Sequence, residues 1–169
     1  MVELCNALNA RLKEAGFAEA FLIETREFEG KTEEVCALRH PLDRTLRIAA
    51  GRWENDIILF YFDYHEHFDL SAEKLEDKLF ERVAGILRDK VITFVKWSPR
   101  TDKAVIEGAF IDNGDNTIKV LPYVAYKKPL FPPNIKRIIR GKNTTLFCWS
   151  MRRVELSKKE KKLVFTDLT

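Results

Sequence analysis

What this chain lacks narrows its chemistry before any motif is considered. It holds 3 cysteines in 169 residues, at positions 5, 36 and 148, each set within an apolar pattern. An odd count at such wide spacing is no disulfide framework, so buried reduced thiols are expected. Glycine is scarce, and neither a Gly-x-Ser-x-Gly nucleophile elbow nor a glycine-rich phosphate loop occurs. No apolar run approaches the length of about 18 residues that spans a bilayer, which argues against a membrane partner. The opening Met-Val-Glu-Leu-Cys-Asn has neither the basic start nor the long apolar stretch of a secretory signal. A cytoplasmic protein is the expectation.

What is present describes an ordinary globular chain. The apolar fraction is 46% and the charged fraction 33%, a balance that supports a packed core under a solvated surface. At this length one domain is expected, burying roughly 70% of the unfolded chain's surface. Charge is divided unevenly along the chain. Residues 1–90 carry 13 basic and 19 acidic side chains, residues 91–169 carry 16 and 7, and the segment 127–162 carries 12 and 2. Such a field can steer an anionic partner, or be answered by the acidic half of the same molecule.

The periodicity predicts α+β architecture with a largely antiparallel sheet, one long helix and an N-terminal helix. Leu4, Leu8, Leu12 and Ala15 recur at helical spacing over 2–15, and Gly16 is a natural stop. Strands are expected over 20–28 and 35–39, then over 45–53 and 57–65 as a hairpin around Glu54-Asn55-Asp56. Ser71 reads as the cap of the long helix, about 71–90, whose core stripe is Leu75, Leu79, Phe80, Val83, Ile86 and Leu87. Beyond it the period falls to two, over 91–97, 104–111 and 117–126, with Pro122 marking an edge or bulge. Asn134 should cap a short helix over 135–140, ahead of strands at 145–153 and 163–165.

Two of the three histidines stand two residues apart in Ile57-Ile-Leu-Phe-Tyr-Phe-Asp-Tyr-His-Glu-His-Phe-Asp69. Read as one strand, this block places Phe60, Phe62, Tyr64, Glu66 and Phe68 on one face and Asp63, His65, His67 and Asp69 on the other. Asp63, His65 and His67 are thus the candidate ligands of a divalent metal and the candidate centre of a metal-dependent enzyme. The pattern resembles the first half of the cupin metal motif, but Glu73 lies too far along and the flanking glycines are missing. The bland reading, two rings hydrogen-bonded locally at a strand end, is the preferred one, and no cofactor is required by it. Acid–base work by Asp63, Glu66, His67 and Asp69 is the other chemistry the cluster allows.

The block Phe62 to Asp69, followed by a helix and the strand 91–97, also resembles a pattern in small bacterial proteins. There a Tyr/Trp-His-x-His-Phe block precedes a helix and a Ser-Trp strand comes near the end, whose counterpart here, Cys148-Trp149-Ser150, has the two residues in reversed order. The resemblance implies a fold and a bacterial origin, with no activity attached. Lys136, Arg137, Arg140, Arg152 and Arg153 are the candidate partner-binding residues, since they offer fixed positive charge. Tyr123, Tyr126, Phe131 and Trp149 between the cations leave nucleic-acid binding as an alternative. A non-enzymatic binding protein with a protein partner, such as an immunity or accessory factor, is the function the sequence favours.

Overall fold

The computed structural model describes residues 1–28, 31–43, 45–62, 64–101, 103–114, 117–125, 134–156 and 163–166. They cluster into two compact units, Met1–Ala84 and Gly85–Thr169, where one domain was expected. The architecture is α+β, and every strand pairing described is antiparallel.

The first unit opens with α1 (Val2–Glu14), which buries Cys5, Leu8 and Leu12. Gly16 ends it in the left-handed region at φ 80°, and the Gly16 and Phe17 amides donate back to Lys13 and Leu12. That double bond is the glycine-capped terminus the sequence predicts. Five strands follow as a meander, each paired with the next: β1 (Leu22–Phe28), β2 (Lys31–Arg39), β3 (Arg47–Trp53), β4 (Asp56–Tyr61) and β5 (Tyr64–Asp69). Cys36, Leu38, Ile48, Ala50, Leu59, Tyr61 and Tyr64 share one face of this sheet and are all buried. α1 packs on β1 and β2, and Asn9 clamps the chain's entry to β1 by bonding both the N–H and C=O of Phe21.

Where one strand 57–65 was expected there are two, because the chain reverses between Tyr61 and Tyr64. Phe62 takes up a left-handed φ of 53°, which a bulky residue rarely adopts, so in the sequence only the neighbouring Asp63 hinted at a break. The gain is burial. On a continuous strand Tyr61 and Tyr64, three apart, would face opposite ways; across the reversal they face each other, rings 5.2 Å apart and edge to face.

The long helix is also shorter than predicted. α2 spans Leu75–Leu87, and Ser71 caps nothing: its N–H and Oγ–H both donate to the Asp69 carboxylate, 2.7 Å each. Lys74 follows at φ 58°, a conformation no helix interior accepts, so the helix starts only after it. Near its end Gly85 faces Val91, and a Cβ at 85 would lie 2.9 Å from Val91 Cγ2. Valine is stiff at χ1, so the overlap outweighs the helix-propensity gain of about 1 kcal/mol. Gly85→Ala is therefore expected to lower the urea midpoint by the equivalent of about 1–2 kcal/mol. A raised midpoint would refute the close packing.

The second unit is built on a sheet of order β8 (Ile118–Ala125), β7 (Ala104–Asp112), β6 (Val91–Trp97) and β9 (Thr144–Phe147). β6 is a strand as expected, but Val91–Val95 is buried on both faces, Thr93 included, where a period of two predicts burial on one. Pro122 sits on the edge strand β8, next to a register shift at Gly108/Phe110, as expected of a residue that cannot donate. α3 (Ile135–Ile139) is capped by Asn134, whose side chain accepts from the Arg137 amide. Its Ile135 and Ile139 join Ile92, Phe94, Ile106, Phe110, Cys148 and Val154 in the core. The expected strand 145–153 divides at Cys148 to Arg152, and β10 (Arg153–Leu156) pairs with β11 (Leu163–Thr166).

Candidate functional site

The histidine row sits on β5, the outermost strand of its sheet, which pairs with β4 alone among the described residues. The reversal at 62 changes the predicted faces. His65 and His67 share a side, but Phe60 lies opposite His65 on that same side and Ile58 lies opposite His67. Tyr64, Glu66 and Phe68 occupy the other, inward face. Asp63, the third expected ligand, lies outside the described residues.

His67 is half exposed, and its Nδ1 stands 2.9 Å from Asp56 Oδ2. With Nδ1–H donating to that carboxylate, the Nε2 lone pair points outward. His65 is exposed, its ring 5.8 Å from Phe60 and 5.4 Å from His67. Asp69, next along the row, is held below the usual carboxylate range by the hydrogen bonds from Ser71. Among the described residues no group of three His, Cys, Asp or Glu side chains converges on a metal position. The third histidine is structural: His40 is buried, and its Nδ1 accepts the Leu42 and Asp43 amides at 3.1 Å each.

Behind the histidines lies a polar cluster that sequence reasoning missed. Glu66 and Arg82 of α2 form a nearly buried two-pronged pair, at 2.8 and 2.9 Å. The hydroxyls of Tyr61 and Tyr64 are buried near it without a hydrogen-bond partner among the described residues. Burial first, and the Glu66 charge second, push both phenols up, Tyr64 to about 12. Only Glu66 within an aromatic run hinted at this, since a carboxylate on an inward face demands a cation.

The basic candidates separate into two kinds. Lys136, Arg137 and Arg140 project from α3 as exposed side chains, opposite the isoleucines that anchor the helix. Arg152 instead bonds Asp89 Oδ2 at 2.7 Å and Ser150 Oγ at 2.8 Å, and its guanidinium lies over the Phe165 ring. Arg153 begins β10, and its side chain lies outside the description, as do the side chain of Tyr123 and residues 126–133 and 157–162.

Asp89 itself is a second feature that no motif marked. It is buried at φ 55°, and it accepts the Ser150 amide at 2.9 Å besides Arg152. Burial opposes its charge, but the hydrogen bonds from Ser150 and Arg152, with Arg152's charge, outweigh it and hold the carboxyl below the usual range. Met151 is likewise left-handed, so two strained residues flank one network. Cys148 borders it, its Sγ 3.5 Å from Ser150 Oγ and 3.4 Å from the Arg152 carbonyl oxygen. Burial pushes that thiol up, which leaves it protonated and poorly nucleophilic. Cys36, beside Cys5, is raised for the same first reason. All three cysteines are buried and free, as the sequence led us to expect.

No family model, curated protein or solved structure matches this chain.

Proposed function

We propose that this protein is a non-enzymatic binding protein that meets an acidic protein surface with the cationic ridge of α3. The observation that carries the reading is the exposure of Lys136, Arg137 and Arg140 on a helix whose apolar side is anchored in the core. None of the three makes an ion pair among the described residues. Their charges are thus held on a fixed backbone and open to solvent, the arrangement that accelerates encounter with an opposite charge. The division of charge supports the same reading, because it follows the division into units. Residues 1–84 hold 11 basic and 18 acidic side chains, and residues 85–169 hold 18 and 8. No recognised nucleic-acid-binding motif accompanies these cations, which favours an acidic protein surface over nucleic acid.

The test is fluorescence anisotropy with a labelled glutamate-rich peptide and, in parallel, labelled DNA and RNA of similar length. Binding to the peptide is expected at low salt and should fade as the Debye length shrinks from about 30 Å to about 8 Å. Arg137→Ala with Arg140→Ala should weaken it about 5–20-fold, since each exposed pair contributes up to about 1 kcal/mol. Salt-independent binding, or no effect of the double variant, overturns the reading. Tighter binding to nucleic acid, with a steep salt slope, would replace it with the nucleic-acid alternative.

A further inference from the structure

We infer that His65 and His67 form half of a transition-metal site that a second copy of this chain completes by pairing along β5. The inference concerns a surface distinct from the α3 ridge and does not depend on it. Three observations lead to it.

The first is the geometry of the two rings. Imidazoles that share a tetrahedral ion, each bound at about 2.1 Å, have ring centroids about 5 Å apart. Those of His65 and His67 are 5.4 Å apart on one exposed face. The second is the bond from His67 Nδ1 to Asp56. A carboxylate on one ring nitrogen fixes the tautomer, aims the other nitrogen outward and makes it more basic, the usual support of a metal-bound histidine.

The third is the direction of the backbone. The Leu70 amide donates to the Asn55 carbonyl just beyond the Asp56–Asp69 pair. In an antiparallel ladder this makes Asp56 and Asp69 a non-bonded pair, so the N–H and C=O of Asp69 point away from β4. By alternation the same holds for His67 and His65. The residues that carry the imidazoles are therefore those whose main-chain groups await another strand. Within one chain the ligand count stops at two, since no third group converges among the described residues. A second β5 in antiparallel register, with His65 opposite His67 of the copy, bonds those outward groups reciprocally. It also sets four imidazoles on one face, with facing Cβ atoms about 5 Å apart. Four nitrogen donors close a tetrahedral shell for Zn²⁺.

Metal-free protein, prepared with a chelator that is then removed, would be titrated with zinc and followed by calorimetry and sedimentation. One zinc per two chains and a monomer-to-dimer shift are the expected result, with zinc tightening self-association at least about 10-fold, or about 1.4 kcal/mol. His65→Ala and His67→Ala should each abolish the shift while keeping the wild-type circular dichroism. Asp56→Asn, which leaves both rings in place, should weaken zinc binding about 10-fold or more, as loss of a supporting carboxylate does. Cobalt should give the strong visible absorption of a tetrahedral complex. One zinc per monomer, no zinc binding, a dimer of equal strength in chelator, or the weak spectrum of octahedral cobalt would each overturn the inference.

Discussion

Arg82→Ala is expected to destabilise the protein by about 3–5 kcal/mol, the cost of leaving a buried charge without its partner. Arg82 and Glu66 are only 13% and 14% exposed and meet through a hydrogen bond from Nη2 to Oε1 and a close Nε–Oε2 ionic contact. Removing the guanidinium strands Glu66 on the inward face of β5, where water cannot fully solvate it. The double replacement Glu66→Leu with Arg82→Met should recover most of the loss, because an apolar pair of similar volume carries no desolvation penalty. Urea unfolding followed by tryptophan fluorescence would measure both. The neighbouring phenols give a sharper contrast. Tyr61→Phe deletes a buried hydroxyl that has no hydrogen-bond partner among the described residues, so it should be neutral or stabilising by up to about 1 kcal/mol. If Arg82→Ala costs under about 1 kcal/mol, the cluster is wetter than its burial indicates.

The second large effect belongs to Asp89. Asp89→Asn keeps the shape and tolerates the left-handed backbone at φ 55°, but gives up the charge that Ser150 and Arg152 bind. About 2–3 kcal/mol is the scale for hydrogen bonds to a buried ion, and because Arg152 is 39% exposed the lower end is expected. The pH dependence has a definite sign. The folded carboxyl sits below its usual value, so its contribution is complete above the unfolded pKa of about 3.9 and disappears as pH falls through the folded value. The gap in urea midpoint between the native protein and Asp89→Asn should therefore be constant from neutrality to about pH 5, then close in acid. A gap that persists unchanged at pH 2 would mean that charge is not what Asp89 contributes. Asp89→Ala should cost more than Asp89→Asn, since alanine adds the left-handed strain of about 1 kcal/mol.

The divided strand at Cys148 and the late start of α2 have one origin. Side chains that close a turn by bonding a nearby backbone compete with the regular ladder, and which side wins depends on distant partners. Ser71 looked like a helix cap because serine before an apolar run usually is one. In the fold its bonds go to Asp69, two residues back, and Lys74 takes the left-handed kink. Cys148 to Arg152 leave the strand because Asp89, 61 residues before Ser150, draws in the Ser150 amide. The first, at Ser71, is a local Asp-x-Ser turn that competes with the cap, and the second, at Cys148, has no local signature. The histidine row was half legible in the same way. Period two put His65 and His67 on a common side, but only the reversal at Phe62 could place Phe60 beside them.

By itself the sequence determined the elements whose pattern is local: the amphipathic α1 with its glycine stop, the strand β6, the Asn134 cap, the proline on an edge strand and the buried thiols. Each follows from a propensity or a period that acts over a few residues. Tertiary structure alone decided that Tyr61 and Tyr64 face each other, that Glu66 meets Arg82, that Asp89 governs residues 150–152, and that the histidines stand at a sheet edge with their main-chain groups outward. Those facts depend on which surfaces must leave water together, a condition set by the whole core and carried by no short stretch of chain.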